Sequence, residues 1–439
     1  MSQARSTRAG KPEPGHYYPR PCQHLTPSSK SAVNTPSSTM PPSVVGSASK
    51  RRRKDSAPSG TTTRTKRQAS AAAAAPPAVA VAADSGPSTK ATRQSSDVHS
   101  TVVLVEVPAD FSFAQAACSY GYYIVPPNLW QPSEETPELE DSGTFSRPLR
   151  FGQNLENTAR CIISQPGGKA SAKSSKKMPK KGTGGGAAAA ASAGAVRVEV
   201  SSSVALTDSD KNDIRLQVKR MFQVHLDLKA WFRLSPEAKK RGYGRLFRSP
   251  TLFEDMVKCI TGCNMKFQGT IRMNKLLCEE FGRDQAFPTP EDLIGVTADD
   301  LKERAKVGYR GDRIVRLAQG FRDGTVDPGW LEAPERTREE VLKFVKALHG
   351  FGDYAAGNVA MLLGYYEEVP LDSETVRHFK DYHGVTTKNV KEVAPKAKRE
   401  YEPYAPYQFL QYWYEMVVWH EKQKGLAVHL WDARDFAAL

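Results

Sequence analysis

No cysteine follows Cys278, and the six that the chain holds (Cys22, Cys118, Cys161, Cys259, Cys263, Cys278) include no CxxC pair. The C-terminal third therefore cannot supply a set of closely spaced thiolates, and reduced thiols of an intracellular compartment are the default. Cys259 and Cys263, four apart in a helical pattern, fit a buried stripe. The chain also lacks an apolar run of about 20 residues, and its start has no apolar secretory segment, which argues against membrane insertion or secretion. We find no GxxxxGK phosphate loop, no Ser/His/Asp arrangement and no His/Cys metal set. Large apolar residues are scarce in residues 1–98. This stretch is rich in Ser, Thr, Pro and Ala and cannot bury enough surface to offset ordering entropy, so it is expected to be disordered. Residues 165–195, built of Gly, Ala, Ser and Lys, read as a flexible low-complexity insert.

The net charge of +14 is unevenly spread. The first 98 residues hold 15 Lys and Arg against 4 acids, and residues 165–196 hold six Lys and no acid. These contribute +11 and +6, which leaves the remainder at −3. The positive charge thus sits in the tail and insert, where it attracts nucleic acid without regard to sequence. The run Lys50-Arg51-Arg52-Arg53-Lys54, echoed by Lys66-Arg67, reads as a nuclear-localisation signal or as a plain charge run. The first twenty residues, acid-poor with Arg and Ser, keep a mitochondrial or chloroplast transit peptide as the alternative.

Folded sequence begins near Val102. Short β-branched or alternating stretches predict strands over 102–105, 121–125, 145–151, 159–164 and 196–200. Residues 100–200 therefore read as a small antiparallel β domain carrying the insert. From Thr207 the period becomes helical. Thr207 or Asp208 can cap a helix that buries Ile214, Val218, Met221, Phe222 and His225. Further helical patterns span 252–263, 270–281, 298–306, 312–321, 338–347, 354–365, 372–383 and 406–422. The aromatics of the last (Tyr407, Phe409, Tyr412, Trp413, Tyr414) read as core. The fold class is mainly α, with an all-α region over 207–435 behind the β domain.

The stretch 348–378 carries the chemistry. Leu348-His349-Gly350-Phe351-Gly352-Asp353 lies between two amphipathic helical patterns. Glycine admits left-handed angles and close approach of another backbone. A helix starting near Asp353 would turn free N–H groups outward and form an anion site. The plain alternative is an ordinary helical hairpin. Asp372 opens the next helical pattern, and taken alone it is an N-cap.

Several stretches together resemble the helix-hairpin-helix DNA glycosylase superfamily. They are Leu348-His-Gly-Phe-Gly with Ala355-Ala356, Pro370-Leu371-Asp372, Val376-Arg377, the stretch 253–264 ending in Asn264, and Val307-Gly308-Tyr309-Arg310-Gly311-Asp312-Arg313-Ile314. The resemblance covers residues 248–383 well and the aromatic helix 404–419 more loosely. It implies a helix-hairpin-helix bundle acting on double-stranded DNA that holds a damaged base. Asp372 would be catalytic, stabilising the oxocarbenium-like charge left on the sugar and positioning water. Leu348, Gly350, Phe351, Gly352, Asn264, Arg310 and Arg377 would contact DNA. A monovalent cation at the hairpin is implied as an option. The base must be flipped out of the duplex.

Departures from the family pattern narrow the expectation. Bifunctional relatives carry a nucleophilic lysine two residues after the second hairpin glycine, and here that position is Tyr354. The cysteines of the iron–sulfur relatives are missing, so no such cluster is expected. The layout looks nearest to the 3-methyladenine and 8-oxoguanine glycosylases. We therefore expect a monofunctional N-glycosylase acting as a monomer, without membrane or metal. Two alternatives stay open: a non-catalytic lesion-binding protein, and a bifunctional enzyme using a displaced lysine such as Lys380. His378 reads as a core or surface histidine. Arg310, Arg313 and Arg316 form a basic face, and with Lys258, Lys266, Arg272 and Lys275 they are phosphate contacts or solvated surface.

Overall fold

The computed structural model describes residues 98–133, 143–165 and 194–431. The basic run 50–54, the transit-peptide stretch and nearly all of the insert lie outside these residues. Five antiparallel strands form one sheet: β1 (His99–Glu106), β2 (Leu129–Gln131), β3 (Thr144–Phe151), β4 (Asn157–Ser164) and β5 (Ala195–Ser202). Their order is β1-β5-β4-β3-β2, with Val103 opposite Val198 and Cys161 opposite Val200. Alternation decides which face is inside. Val103, Val105, Val196, Val198 and Val200 are buried, whereas Val102 and Leu104 of the edge strand β1 face outward.

The expected strand 121–125 is not a strand. Gly121–Ile124 is a 3-10 turn, with the short helix α1 (Phe113–Ala117) before it and β2 after it. Its β-prone composition serves burial instead. The Tyr122, Tyr123 and Ile124 side chains are all inside, and Asn128 Nδ2 donates to the Tyr122 carbonyl at 2.8 Å. Packing overrides β-propensity here.

The helical region runs α2 (Asp208–Met221), α3 (Lys229–Leu234), α4 (Pro236–Arg241), α5 (Leu252–Gly262), α6 (Phe267–Phe281), α7 (Ala298–Arg304), α8 (Arg310–Asp323), α9 (Pro328–Leu331), α10 (Arg338–Ala347), α11 (Asp353–Leu362), α12 (Ser373–Asp381), α13 (Val390–Tyr401) and α14 (Gln408–Lys424). Capping boxes start α2 at Thr207, α7 at Thr297 and α10 at Thr337. Helix α13, which holds Pro395, is not among the expected helices.

Sheet and helices share one core, and the described residues cluster as one compact unit. Phe222 of the helical region meets Phe113 and Phe145 at ring distances of 5.3 and 5.6 Å. Arg147 of β3 reaches Glu254 of α5 at 2.8 Å, and Lys258 completes the trio at 2.7 Å from the same carboxylate. A second buried network joins Arg220 to Asp255 at 2.8 Å and to Glu332 at 2.6 Å, with Arg248 on Glu332 at 2.7 Å. Buried charges persist only when paired, so these contacts fix how α5 sits against sheet and bundle.

Candidate active site

Helices α10 and α11 are joined by the glycine hairpin. Gly350 has φ +90, and a Cβ there would fall 2.4 Å from Arg313 Cδ, so both conformation and space require glycine. Gly352 differs. Its φ of −80 suits any residue, and a Cβ would meet nothing within 4 Å. Nothing inside the chain demands a glycine at this exposed position. It is the N-cap of α11 and offers no side chain to the first-turn N–H groups, which leaves donors at the positive end of a helix.

Leu348 and Phe351 support the turn from inside. Phe351 is buried, its N–H donates to the Leu348 carbonyl at 3.2 Å, and Leu348 packs against the core. Arg313 crosses from α8 to donate to the Gly350 carbonyl at 3.2 Å. Lys346 and Asp353 close the outside at 2.7 Å.

Asp372 does cap α12. Its Oδ1 accepts the Thr375 N–H at 3.0 Å and the Thr375 hydroxyl at 3.3 Å. Thr375 is itself held by the Tyr412 hydroxyl at 3.2 Å. The cap therefore aims a half-buried carboxylate rather than competing with a chemical role. Burial raises its pKa above the ordinary 3.8, and Glu374 adds repulsion; the Thr375 bonds and the Tyr354 hydroxyl pull the other way. Tyr354, in the first turn of α11, is near enough to the carboxylate for each to shift the other's ionisation. Burial and the neighbouring Asp372 push the Tyr354 phenol up, so it stays protonated.

Two further tyrosines, Tyr120 and Tyr412, lie near enough to feel Asp372. Tyr120 is buried, feels the Asp372 charge, and lies 4.8 Å from the Trp413 ring. Its hydroxyl donates to Asn358 Oδ1 at 3.4 Å, and Asn358 Nδ2 donates to the Tyr354 carbonyl at 2.8 Å. Trp413 Nε1 donates to the Ser119 carbonyl at 2.8 Å. Sequence reasoning missed Tyr120 because 121–125 was read as a strand. It missed Trp413 because α14 was read wholly as core. Phe409 and Tyr412 are buried as expected.

The other expected DNA contacts separate. Asn264 is exposed with φ +50, in the loop between α5 and α6, beside exposed Met265 and Phe267. Arg310 is buried. Its guanidinium donates to the Cys263 carbonyl and, at 3.4 Å, to the Asn264 carbonyl, so it shapes that loop from behind. Arg377 lies over the Trp419 ring at 4.1 Å and pairs with Glu374 at 2.7 Å. Arg316 pairs with Asp312 at 3.0 Å and Arg313 serves the hairpin, so the three arginines of α8 do not act as one face. Lys258 is fully buried on Glu254, and Lys380 is exposed at the far end of α12. Eight residues of helix put Lys380 about 12 Å along the axis from Asp372.

No protein-family model matches the chain. A Bacillus subtilis (strain 168) protein provisionally named DNA-3-methyladenine glycosylase YfjP is 21% identical over 222 residues, 47% of this chain and 75% of that protein. The 3-methyladenine DNA-glycosylase from Archaeoglobus fulgidus is similar in structure, with TM-score 0.50 and 15% identity over 72% of this chain and 99% of that one. The apo-form of the Clostridium acetobutylicum 8-oxoguanine glycosylase/lyase gives TM-score 0.47 and 13% identity over 73% and 97%. The chain therefore has the helix-hairpin-helix glycosylase fold: a mainly helical body behind a small antiparallel sheet.

Proposed function

We propose that this chain is a monofunctional DNA N-glycosylase that removes a damaged base by hydrolysing its bond to deoxyribose. The observation that carries the proposal is the meeting of Asp372 with the first turn of α11. A half-buried carboxylate, fixed at a helix start by Thr375, lies near Tyr354, two residues beyond an uncapped glycine hairpin. The hairpin N–H groups suit a backbone phosphate, and the open space at Gly352 suits its close approach. A sugar presented there would meet Asp372. The carboxylate stabilises charge developing at the anomeric carbon, and the Thr375 bonds, with a smaller contribution from Tyr354, oppose the upward pull of burial on its pKa. The names of the similar proteins, all DNA glycosylases, support the same class.

The aromatic faces of Tyr120, Trp413 and Tyr354 favour a base that has gained positive charge by alkylation. Such a base is drawn to π-faces and to a nearby carboxylate, and it leaves readily. Loop 263–267, with Asn264 and the exposed Met265, is the candidate wedge that fills the vacated stack. Monofunctional chemistry is supported by the lysine positions, since Lys258 is committed to Glu254 and Lys380 is remote. The test is release of free base from duplexes bearing alkylated, oxidised, deaminated or mismatched bases. Release of alkylated bases without strand cleavage is expected. A borohydride-trapped protein–DNA adduct would overturn the monofunctional assignment.

A further inference from the structure

Around the C-terminal half of α12, three side chains converge on one carboxylate oxygen. Glu415 Oε2 lies 3.2 Å from His378 Nε2, 3.1 Å from His383 Nε2 and 2.8 Å from the Tyr401 hydroxyl. The Tyr401 hydroxyl is also 3.2 Å from His383 Nε2. The two imidazole nitrogens and the carboxylate oxygen all fall within 4.8 Å of one another. The His378 side chain is wholly buried, and those of His383 and Glu415 are 13% and 9% exposed.

Four polar side chains converge on the nearly buried Glu415 carboxylate: His378, His383 and Tyr401 at Oε2 and Gln411 at Oε1. Among the described residues, no lysine or arginine pairs with it; only the two histidines do. A nearly buried carboxylate with two imidazole nitrogens beside it and no Lys or Arg partner is a place for a cation.

We infer that His378, His383 and Glu415 form a binding site for a divalent transition metal of the zinc type, with the Tyr401 hydroxyl or a water as the fourth ligand. The donor set supports this: two imidazoles and a carboxylate are borderline ligands that suit zinc far better than calcium or magnesium. The spacing supports it too. Ligands about 2.0–2.2 Å from a tetrahedral centre lie about 3.3–3.5 Å apart. The contacts of 3.1 and 3.2 Å around Glu415 Oε2 and His383 Nε2 are slightly tighter than that, and the Tyr401 hydroxyl, 2.8 Å from Oε2, would have to draw back to serve as the fourth ligand. Gln411 Nε2 orients the carboxylate from behind, donating to Oε1 at 2.9 Å. The site is closed, as structural metal sites are. It would tie α12, α13 and α14 together at the end of the helix that Asp372 caps. This inference does not depend on the glycosylase reading.

The test uses the full chain, produced with a tag free of histidine, and elemental analysis of metal per chain. About one zinc per chain is expected, lost in His383→Ala and Glu415→Gln and kept in Asp372→Asn. Cobalt exchanged into the protein should give the visible absorption of a tetrahedral ion, and stripping the metal should lower the melting temperature by several degrees. Because His383→Ala or Glu415→Gln can fail to fold, the cobalt spectrum of the wild-type chain decides on its own. A metal-free chain whose melting temperature ignores added zinc and whose cobalt spectrum stays that of the hexa-aquo ion would overturn the site.

Discussion

Asp372 has two jobs in this account, and substitution separates them. As an N-cap it accepts the Thr375 N–H at 3.0 Å. Asparagine caps about as well as aspartate, whereas alanine costs about 1 kcal/mol. As a half-buried anion it also carries a desolvation cost, since its pKa is raised in the folded protein. The sign follows from linkage. Below the ordinary value of 3.8 the group is protonated in folded and unfolded chains alike and contributes nothing. Above its folded pKa the ionised carboxylate opposes folding. Asp372→Asn should therefore melt at or slightly above the wild-type temperature at pH 7, with the difference vanishing below pH 3.8. Asp372→Ala should fall below Asp372→Asn by about 1 kcal/mol, roughly 2 °C for a protein of this size. Both should lose about 10²–10³-fold in single-turnover base release, the cost of removing one electrostatic stabiliser of the transition state. Paired melting curves and single-turnover assays on the two variants give the comparison. An Asp372→Asn protein that melts well below wild type and still releases base would refute the assignment, because Asp372 would then be a cap and nothing more.

The hairpin glycines should behave oppositely. Gly350→Ala strains φ and drives into Arg313, so thermal melting should show destabilisation of about 1–3 kcal/mol. Gly352→Ala should melt like wild type but bind duplex DNA more weakly in a fluorescence-anisotropy titration. Glu332→Gln strips the partner from Arg220 and Arg248 in the core and should cost about 3–5 kcal/mol in denaturant unfolding. Glu254, held at about 2 by Arg147 and Lys258 against its burial, should support stability above pH 4.5 and lose that contribution as pH falls towards 2. A Glu254→Gln chain should accordingly show a flatter stability profile across that window.

Much of the fold was legible because it rests on local signals. The helix over 338–347 matched to the residue, since Thr337 and Glu340 write a capping box and the apolar positions repeat at helical spacing. The hairpin and Asp372 were legible as types of residue in order. What could not be read was side-chain direction. Arg310 carries the same charge as a surface arginine, yet the chain turns it inward onto the Cys263 and Asn264 carbonyls. Gly121–Ile124 has strand composition but faces the core all round, and only long-range contacts with α5 and α14 decide its shape. The histidine cluster was missed for the same reason. His378 and His383 are five apart, which a straight helix would place on different faces. The chain leaves α12 at Asp381, so His383 curls back, and Glu415 arrives from 32 residues further on.

The central claim is that this chain cuts a damaged base from its sugar and stops there. Incubating the full chain with labelled duplexes, each bearing one lesion, and scoring free base and strand breaks separately tests it most directly. Free base is expected, with strands unbroken until alkali is added and release slowed about 10²–10³-fold in Asp372→Asn. Strand breaks at the lesion without alkali, or base release unaffected by Asp372→Asn, would contradict it.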